Sequence, residues 1–276
     1  MNNKIKQYGY IGHGFVPDVQ DEDYELGSEQ LPKIVLVDDG NWTPYLPKGE
    51  KQKRREWDTF GCTVYNTLQC VEILEKRKFG IDVDYSERFT YIKSKTWPPG
   101  NSPNKVAQSI RDFGLIPETM LLFDDSIMSL DQYADVNSIT AEMEENGKQW
   151  KQKNNFQYEW VWKTEIPLQE KKERMKEELR RSPLGVSVCA WKERDGIYYK
   201  DEYDTDNHWS DGIMVGYEGK YPLFYDSYPP FLKRLDPDYD FSFSMRYHIE
   251  RQISPPAPIY PIAAPPIPVK VSFWDK

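Results

Sequence analysis

Apolar positions along this chain change their period about two thirds of the way through, and the change separates a helical part from a strand part. Val64, Leu68, Val71 and Leu74 recur at helical spacing, which predicts a helix that Asp58 or Thr59 would cap. A second helix is expected from Ser102 as cap and Pro103 in the first turn, through Val106, Ala107, Ile110 and Phe113, to a stop at Gly114. Leu168, Lys172, Met175 and Leu179 form a narrow stripe in a charged run over 169–181. That run predicts a surface helix with a solvated, charge-paired face, ending before Pro183. Residues 140–163 mix Trp and Phe with polar side chains and show no assignable period. Lys33 to Val37 reads as a short strand.

Beyond residue 183 the period becomes two. Residues 185–191, 212–217 and 222–226 read as strands. Phe241, Phe243, Met245, Tyr247 and Ile249 alternate as a half-buried antiparallel strand would, with His248 turned outward. Helices followed by strands make an α+β fold of two lobes with a cleft between them. The expected domain covers 32–252, its helical lobe about 58–180 and its β lobe about 183–252. Residues 1–31 form an acidic, turn-rich arm on or beside it, and the sequence leaves open whether the arm fills the cleft as an internal inhibitor. The Pro-rich tail over 253–276 can form neither a regular helix nor a central strand. Arm and tail are the segments on which a protein partner is expected to act.

Composition adds three constraints. With 9 Trp, 19 Tyr and 12 Phe, the core is expected to be aromatic despite a mean hydropathy of −0.78. A net charge of −9 repels phosphate backbones and argues against nucleic-acid binding. No apolar run reaches the roughly 18 residues of a membrane span, and the first residues lack the pattern of a signal peptide, so a soluble protein is expected. Three cysteines, Cys62, Cys70 and Cys189, cannot all pair, and the first two lie about two helical turns apart. The chain is therefore expected in the cytoplasm or another reducing compartment.

Cys62 lies in the first turn of its helix, where unsatisfied N–H groups and the macrodipole favour a thiolate. Gly61 before it leaves room for a substrate backbone. Cys70 and Cys189 start no element and read as small buried hydrophobes. His208, in Asp206-Asn-His-Trp-Ser-Asp-Gly-Ile-Met-Val-Gly-Tyr217, stands at a strand entry from which an imidazole could take a proton across a cleft. His13 and His248 lack that setting. Asp226, in Leu223-Phe-Tyr-Asp-Ser-Tyr228, is the candidate to orient the imidazole, or else it opens a turn before Pro229 and Pro230.

The order of Phe60-Gly-Cys-Thr-Val-Tyr65, Asn207-His-Trp-Ser-Asp-Gly-Ile-Met-Val-Gly-Tyr217 and Asp226-Ser-Tyr228 resembles that of papain-like cysteine peptidases. The family has a Cys opening its central helix, then an Asn-His strand leading to Val-Gly-Tyr, then an Asn-Ser-Trp segment. His208 also follows Cys62 at the family's spacing of about 130–150 residues. The resemblance runs over roughly 32–250 and takes in the strand at Pro183-Leu-Gly-Val-Ser-Val188. It implies a two-lobed papain-like fold and a thioester acyl-enzyme on a Cys62–His208–Asp226 triad, with a peptide or protein as substrate.

Three departures from the family stand out. Asp226 replaces the usual Asn, and this also matches the triad of transglutaminase-like amide transferases. Glu56 sits near where the family has its oxyanion-hole Gln. Gln52 is the preferred donor beside the Cys62 backbone amide, provided 53–58 form an extra loop, and otherwise it is a solvated turn residue. Cys70 and Cys189 do not match the family's disulfide positions. A catalytically silent papain fold serving as a binding module is the third reading. Trp209 walls the cleft or simply packs. Asp204, Asp206 and Asp211 only faintly echo a calcium loop, so neither metal nor cofactor is expected.

Overall fold

The computed structural model describes residues 14–15, 31–54, 57–189, 191–200 and 209–252. Among the described residues, three short strands precede the first α-helix: β1 (Gly14–Phe15), β2 (Lys53–Arg54) and β3 (Trp57–Asp58). The last two pair as a hairpin, Lys53 opposite Asp58. Helix α1 (Cys62–Phe79) begins at Gly61, which caps it without a side chain. The expected caps have other tasks. Asp58 accepts the Phe60 amide at 2.7 Å and Thr59 accepts the Gly61 amide at 3.1 Å, so the two fold the turn in front of the helix.

The predicted stripe of α1 is buried, and so is every other residue from Cys62 to Glu75. The helix is therefore enclosed on all sides, and its polar residues need internal partners. Glu72 accepts the Tyr85 amide at 2.9 Å, and Glu75 accepts the Tyr85 hydroxyl at 2.7 Å. Gly80 ends the helix at φ 67°, after Lys76, Arg77 and Lys78, whose charges complement the dipole.

Helix α2 (Glu87–Lys93) is capped by Ser86, and strand β4 (Gly100–Asn101) leads into α3 (Pro103–Phe113). Ser102 caps α3 as its sequence predicts, accepting the Lys105 amide at 3.2 Å. Val106, Ala107 and Ile110 are buried, whereas Phe113, the last residue of α3, is 41% exposed. After α4 (Leu130–Tyr133), the stretch without a period proves to be α5 (Ala141–Lys153) followed directly by strand β5 (Asn154–Trp162). Met143, Gly147 and Trp150 are the buried residues of α5, at helical spacing, but a glycine as the middle member hides the stripe in the sequence. Gly114, at φ 75°, meets α5 so closely that a Cβ would lie 1.9 Å from the Gly147 carbonyl oxygen. Gly114→Ala is expected to cost at least about 2 kcal/mol, read from the denaturant midpoint.

Helix α6 (Leu168–Leu179) corrects the expectation of a solvated face. Lys171 is fully buried and pairs with Glu165 at 2.8 Å and Asp240 at 2.7 Å. Glu178, also buried, faces Arg246 at 3.0 Å. A charge pattern alone cannot distinguish a solvated face from one whose partners arrive from distant chain.

The remaining strands are β6 (Leu184–Cys189), β7 (Lys192–Arg194), β8 (Ile197–Tyr199), β9 (Trp209–Glu218), β10 (Tyr221–Tyr225), β11 (Leu232–Leu235) and β12 (Ser244–Arg251). With β5 they form an eight-stranded sheet in the order β5-β12-β6-β9-β10-β11-β8-β7, antiparallel except at β11 and β8. The α+β class is thus observed, with β5 from the helical half added at the sheet edge.

Two strand expectations are corrected. Residues 33–37 form no strand, since the amides of Leu36 and Val37 both donate to the Arg180 carbonyl. Along β12 the alternate residues Arg246 and His248 are buried as well as Met245, Tyr247 and Ile249. His248 is therefore not turned outward: it is 7% exposed, lies 3.0 Å from Glu250, and burial pushes its pKa down. Arg246 is held by Glu159, which lets a charge occupy a buried strand face. Helix α1 packs on β6, β9 and β12 on one side and on α2 and α3 on the other. Its first residue consequently lies where the two lobes meet.

Candidate active site

The chain enters α1 through a bent turn. Phe60 holds a left-handed backbone at φ 55°, fixed by Asp58 and Thr59 on either side of the bend. A Cβ on Gly61 would stand 3.0 Å from the Thr59 hydroxyl, so glycine keeps this approach open. Cys62 follows as the first helical residue, with the amides of Val64 and Tyr65 closing onto the Gly61 carbonyl.

Cys62 is fully buried, and its Sγ accepts the backbone amide of Asp211 on β9 at 3.3 Å. Burial pushes its thiol well above the usual range. The Asp211 charge adds to that rise, whereas the Asp211 amide and the Thr63 hydroxyl pull it back. Enclosure therefore works against the thiolate that a helix start favours. His208, which the sequence nominates, lies outside the described residues, as do Glu56, Asp204 and Asp206. The backbone of Trp209 pairs with Cys189 at the start of β9.

Residues 53–58 do form a loop of their own, the β2–β3 hairpin, which follows directly on Gln52. Gln52 is fully buried, which corrects its reading as a solvated turn residue. Its Oε1 accepts the Ser227 hydroxyl at 2.7 Å, and its Nε2 donates to Asp58 at 2.9 Å and to the Tyr228 hydroxyl at 2.5 Å. Tyr228 in turn donates to the other Asp58 oxygen at 2.6 Å. The side-chain amide is therefore oriented from both ends.

Asp226, just past β10, is buried as well. It accepts the Tyr228 amide at 3.2 Å and the Lys233 ammonium at 2.9 Å. Burial pushes the carboxyl up and the ammonium down, and each group draws the other back. Lys233 also donates to the carbonyls of Tyr228 and Pro230, both at 2.6 Å. The sequence gives Lys233 no role, offers Asp58 only as a helix cap, and shows Tyr228 and Asp211 only as neighbours of Asp226 and His208 in their motifs, Asp211 also in a rejected calcium loop. Their places in the network come from pairing that no motif shows. Cys70 and Cys189 are buried free thiols.

Strand β1 pairs in parallel with β4, Gly14 opposite Gly100 and Phe15 opposite Asn101. It lies against α1 and β9, the two elements that meet at Cys62. Thr63 donates to the Asn101 carbonyl at 3.2 Å, tying β4 to the same corner.

No family model and no curated protein matches the chain in sequence. Its three-dimensional form does have counterparts. Xylellain, a cysteine protease from Xylella fastidiosa, is 15% identical and superposes over 90% of this chain and 97% of its own with a TM-score of 0.62. The fold is that of the papain-like cysteine proteases. Digestive procathepsin L 3 of Tenebrio molitor larval midgut shares it at 12% identity and TM-score 0.56, covering 88% of this chain and 78% of that one. A Carica candamarcensis cysteine protease in complex with E-64 shares it at 14% identity and TM-score 0.50, covering 75% and 96%. In this papain-like frame Cys62 opens the helix buried between the lobes, and Gln52 is tied through Ser227 to the segment that carries Asp226. Among the described residues no helix is long and apolar enough to cross a membrane, and no group of side chains could hold a metal ion.

Proposed function

We propose that this protein is a cysteine-type peptidase that cleaves peptide or isopeptide bonds by acyl transfer. The observation that carries the reading is the pairing of two features in a papain-like fold. A cysteine is the first residue of the buried helix, and a buried glutamine amide is anchored through Ser227, which lies beside Asp226.

In this reading His208 takes the Cys62 proton, and the imidazolium formed is a cation that favours the thiolate. The thiolate attacks the amide carbon, and the displaced electron pair rests on the carbonyl oxygen. The Cys62 amide and one Nε2 hydrogen of Gln52, released by Tyr228 or Asp58, hold that oxygen. His208 then protonates the leaving amine, and water releases the acyl group from sulfur. Asp226 orients the imidazole with whatever lone pairs Lys233 and the Tyr228 amide leave to it. Gly61 and Trp209 line the substrate's approach. The structural neighbours are proteases, and no observation favours an amide transferase or a silent binding module. A peptide or protein substrate, in a reducing compartment, fits the three free thiols.

E-64, the compound held by the Carica candamarcensis protease, supplies the test. In reducing buffer it is expected to attach to the chain once, at Cys62, as mapped by peptide mass spectrometry. Modification of Cys62 no faster than that of Cys70 and Cys189 would overturn the reading.

A further inference from the structure

Directly beneath the proposed nucleophile lies a carboxyl group that the mechanism above does not use. Asp211 is 1% exposed, and the sheet delivers it there through its pairing with Ser187 on β6. Its amide hydrogen points at the Cys62 sulfur from 3.3 Å. Its carboxyl turns inward toward α1, where Asn66, the Gly212 amide and Thr63 draw on it only weakly and neither oxygen has a well-formed hydrogen bond among the described residues. Titratable groups face it from two elements: Cys62 and Cys70 on α1, and Tyr247 on β12. All three are neutral when protonated, and no lysine or arginine is among them. His208, three residues upstream, lies outside the described residues.

A carboxylate without a cation or a full set of donors is strongly disfavoured in such a place, so the acid form is the one that fits. Burial accordingly pushes the Asp211 carboxyl up to about 8, opposed only in part by Asn66, the Gly212 amide and Thr63. Were it ionised, its charge would stand on the same helix face as the nucleophile and oppose a thiolate there.

We propose that Asp211 is a positioning residue for Cys62: its amide holds the sulfur, and its neutral carboxyl permits a thiolate that ionisation of the same carboxyl would suppress. This deepens the peptidase reading and rests on Cys62 being its nucleophile. The consequence is that ionisation of Asp211, a group to which the proposed mechanism gives no proton, slows the gain of thiolate as pH rises. Between neutrality and mild alkali the sulfur gains reactivity more slowly than a single thiol ionisation demands.

The test measures iodoacetamide alkylation of Cys62 from pH 5 to pH 10 in the full chain and in Asp211→Asn, with Cys70 and Cys189 as internal references. The wild type is expected to rise in two shallow steps. The variant is expected to rise in one steeper step and to react about tenfold faster at pH 9, a like charge nearby being worth on the order of one pKa unit.

A second reading is independent of Cys62 chemistry. Because the folded-state value is raised above the unfolded one, the stability tied to Asp211 is complete below about pH 4 and is lost as pH rises through about 8. The melting temperature of the variant, relative to wild type, is therefore expected to climb over that interval. Identical alkylation profiles in both proteins, or a single-step profile in the wild type should the variant not fold, would overturn the inference. In either case a Cys62 more reactive than the other two thiols leaves the peptidase reading standing. A Cys62 no more reactive than they are, in both proteins, defeats both.

Discussion

Cys62→Ser is expected to lower peptide cleavage by about 10⁴-fold or more, with the melting temperature close to that of the wild type. The reason is local. A hydroxyl at the head of α1 occupies nearly the same space and still accepts the Asp211 amide, which stands 3.3 Å from the sulfur in the native protein. A serine hydroxyl is nevertheless much harder to ionise than a thiol, and this site already opposes ionisation through full burial. The helix start and one imidazole cannot offset both effects. Measured with a peptide substrate in reducing buffer, the variant should retain fold and binding while losing turnover. Residual cleavage within an order of magnitude of wild type would mean that the sulfur does not carry the reaction.

Gln52→Ala is expected to lower kcat by about 10²–10³-fold while leaving Cys62 alkylation at its wild-type rate. Alkylation needs the thiolate but no oxyanion, whereas amide cleavage needs both, so the two measurements separate an oxyanion donor from a structural support. The geometry makes the separation sharp. Gln52 is fixed by Ser227 at its oxygen and by Asp58 and Tyr228 at its nitrogen, and its removal leaves those three partially unpaired. A stability loss of about 1–3 kcal/mol should accompany the change. If alkylation falls in parallel with cleavage, Gln52 supports the nucleophile rather than the transition state.

Asp58 has a double duty in this arrangement. One of its oxygens accepts the Phe60 amide and the Gln52 nitrogen, and the other accepts the Tyr228 hydroxyl. The turn that places the nucleophile and the amide that would receive the oxyanion are therefore built on one carboxylate. Coupling of this kind is how a site keeps its reacting groups in register when they come from distant segments.

What the sequence determines by itself follows from local physics. The apolar stripe of α1, the Ser102 cap of α3 and the strands around 184–189 and 221–225 were readable because capping, proline placement and hydrophobic period are properties of neighbouring residues, although the cap of α1 proved to be Gly61. Cys62 was conspicuous for the same reason, since it opens a helix after a glycine. The order of its motifs pointed to the papain-like fold that the structure displays.

What only the tertiary structure decides concerns burial and pairing across long stretches of chain. Lys171 reads as a solvated lysine until Asp240 reaches it, and His248 reads as outward until β5 covers its strand. Asp226 acquires Lys233, and Gln52 leaves the solvent because the hairpin over 53–58 folds it toward Ser227. Asp211 is the fullest case. In the chain it is one acid among many, and only the pairing of β6 with β9 beneath α1 removes it from water and sets it against Cys62. The physical reason is common to all of them: whether a polar group is charged, paired or reactive depends on the dielectric and the partners around it. Those are supplied by residues far away in sequence.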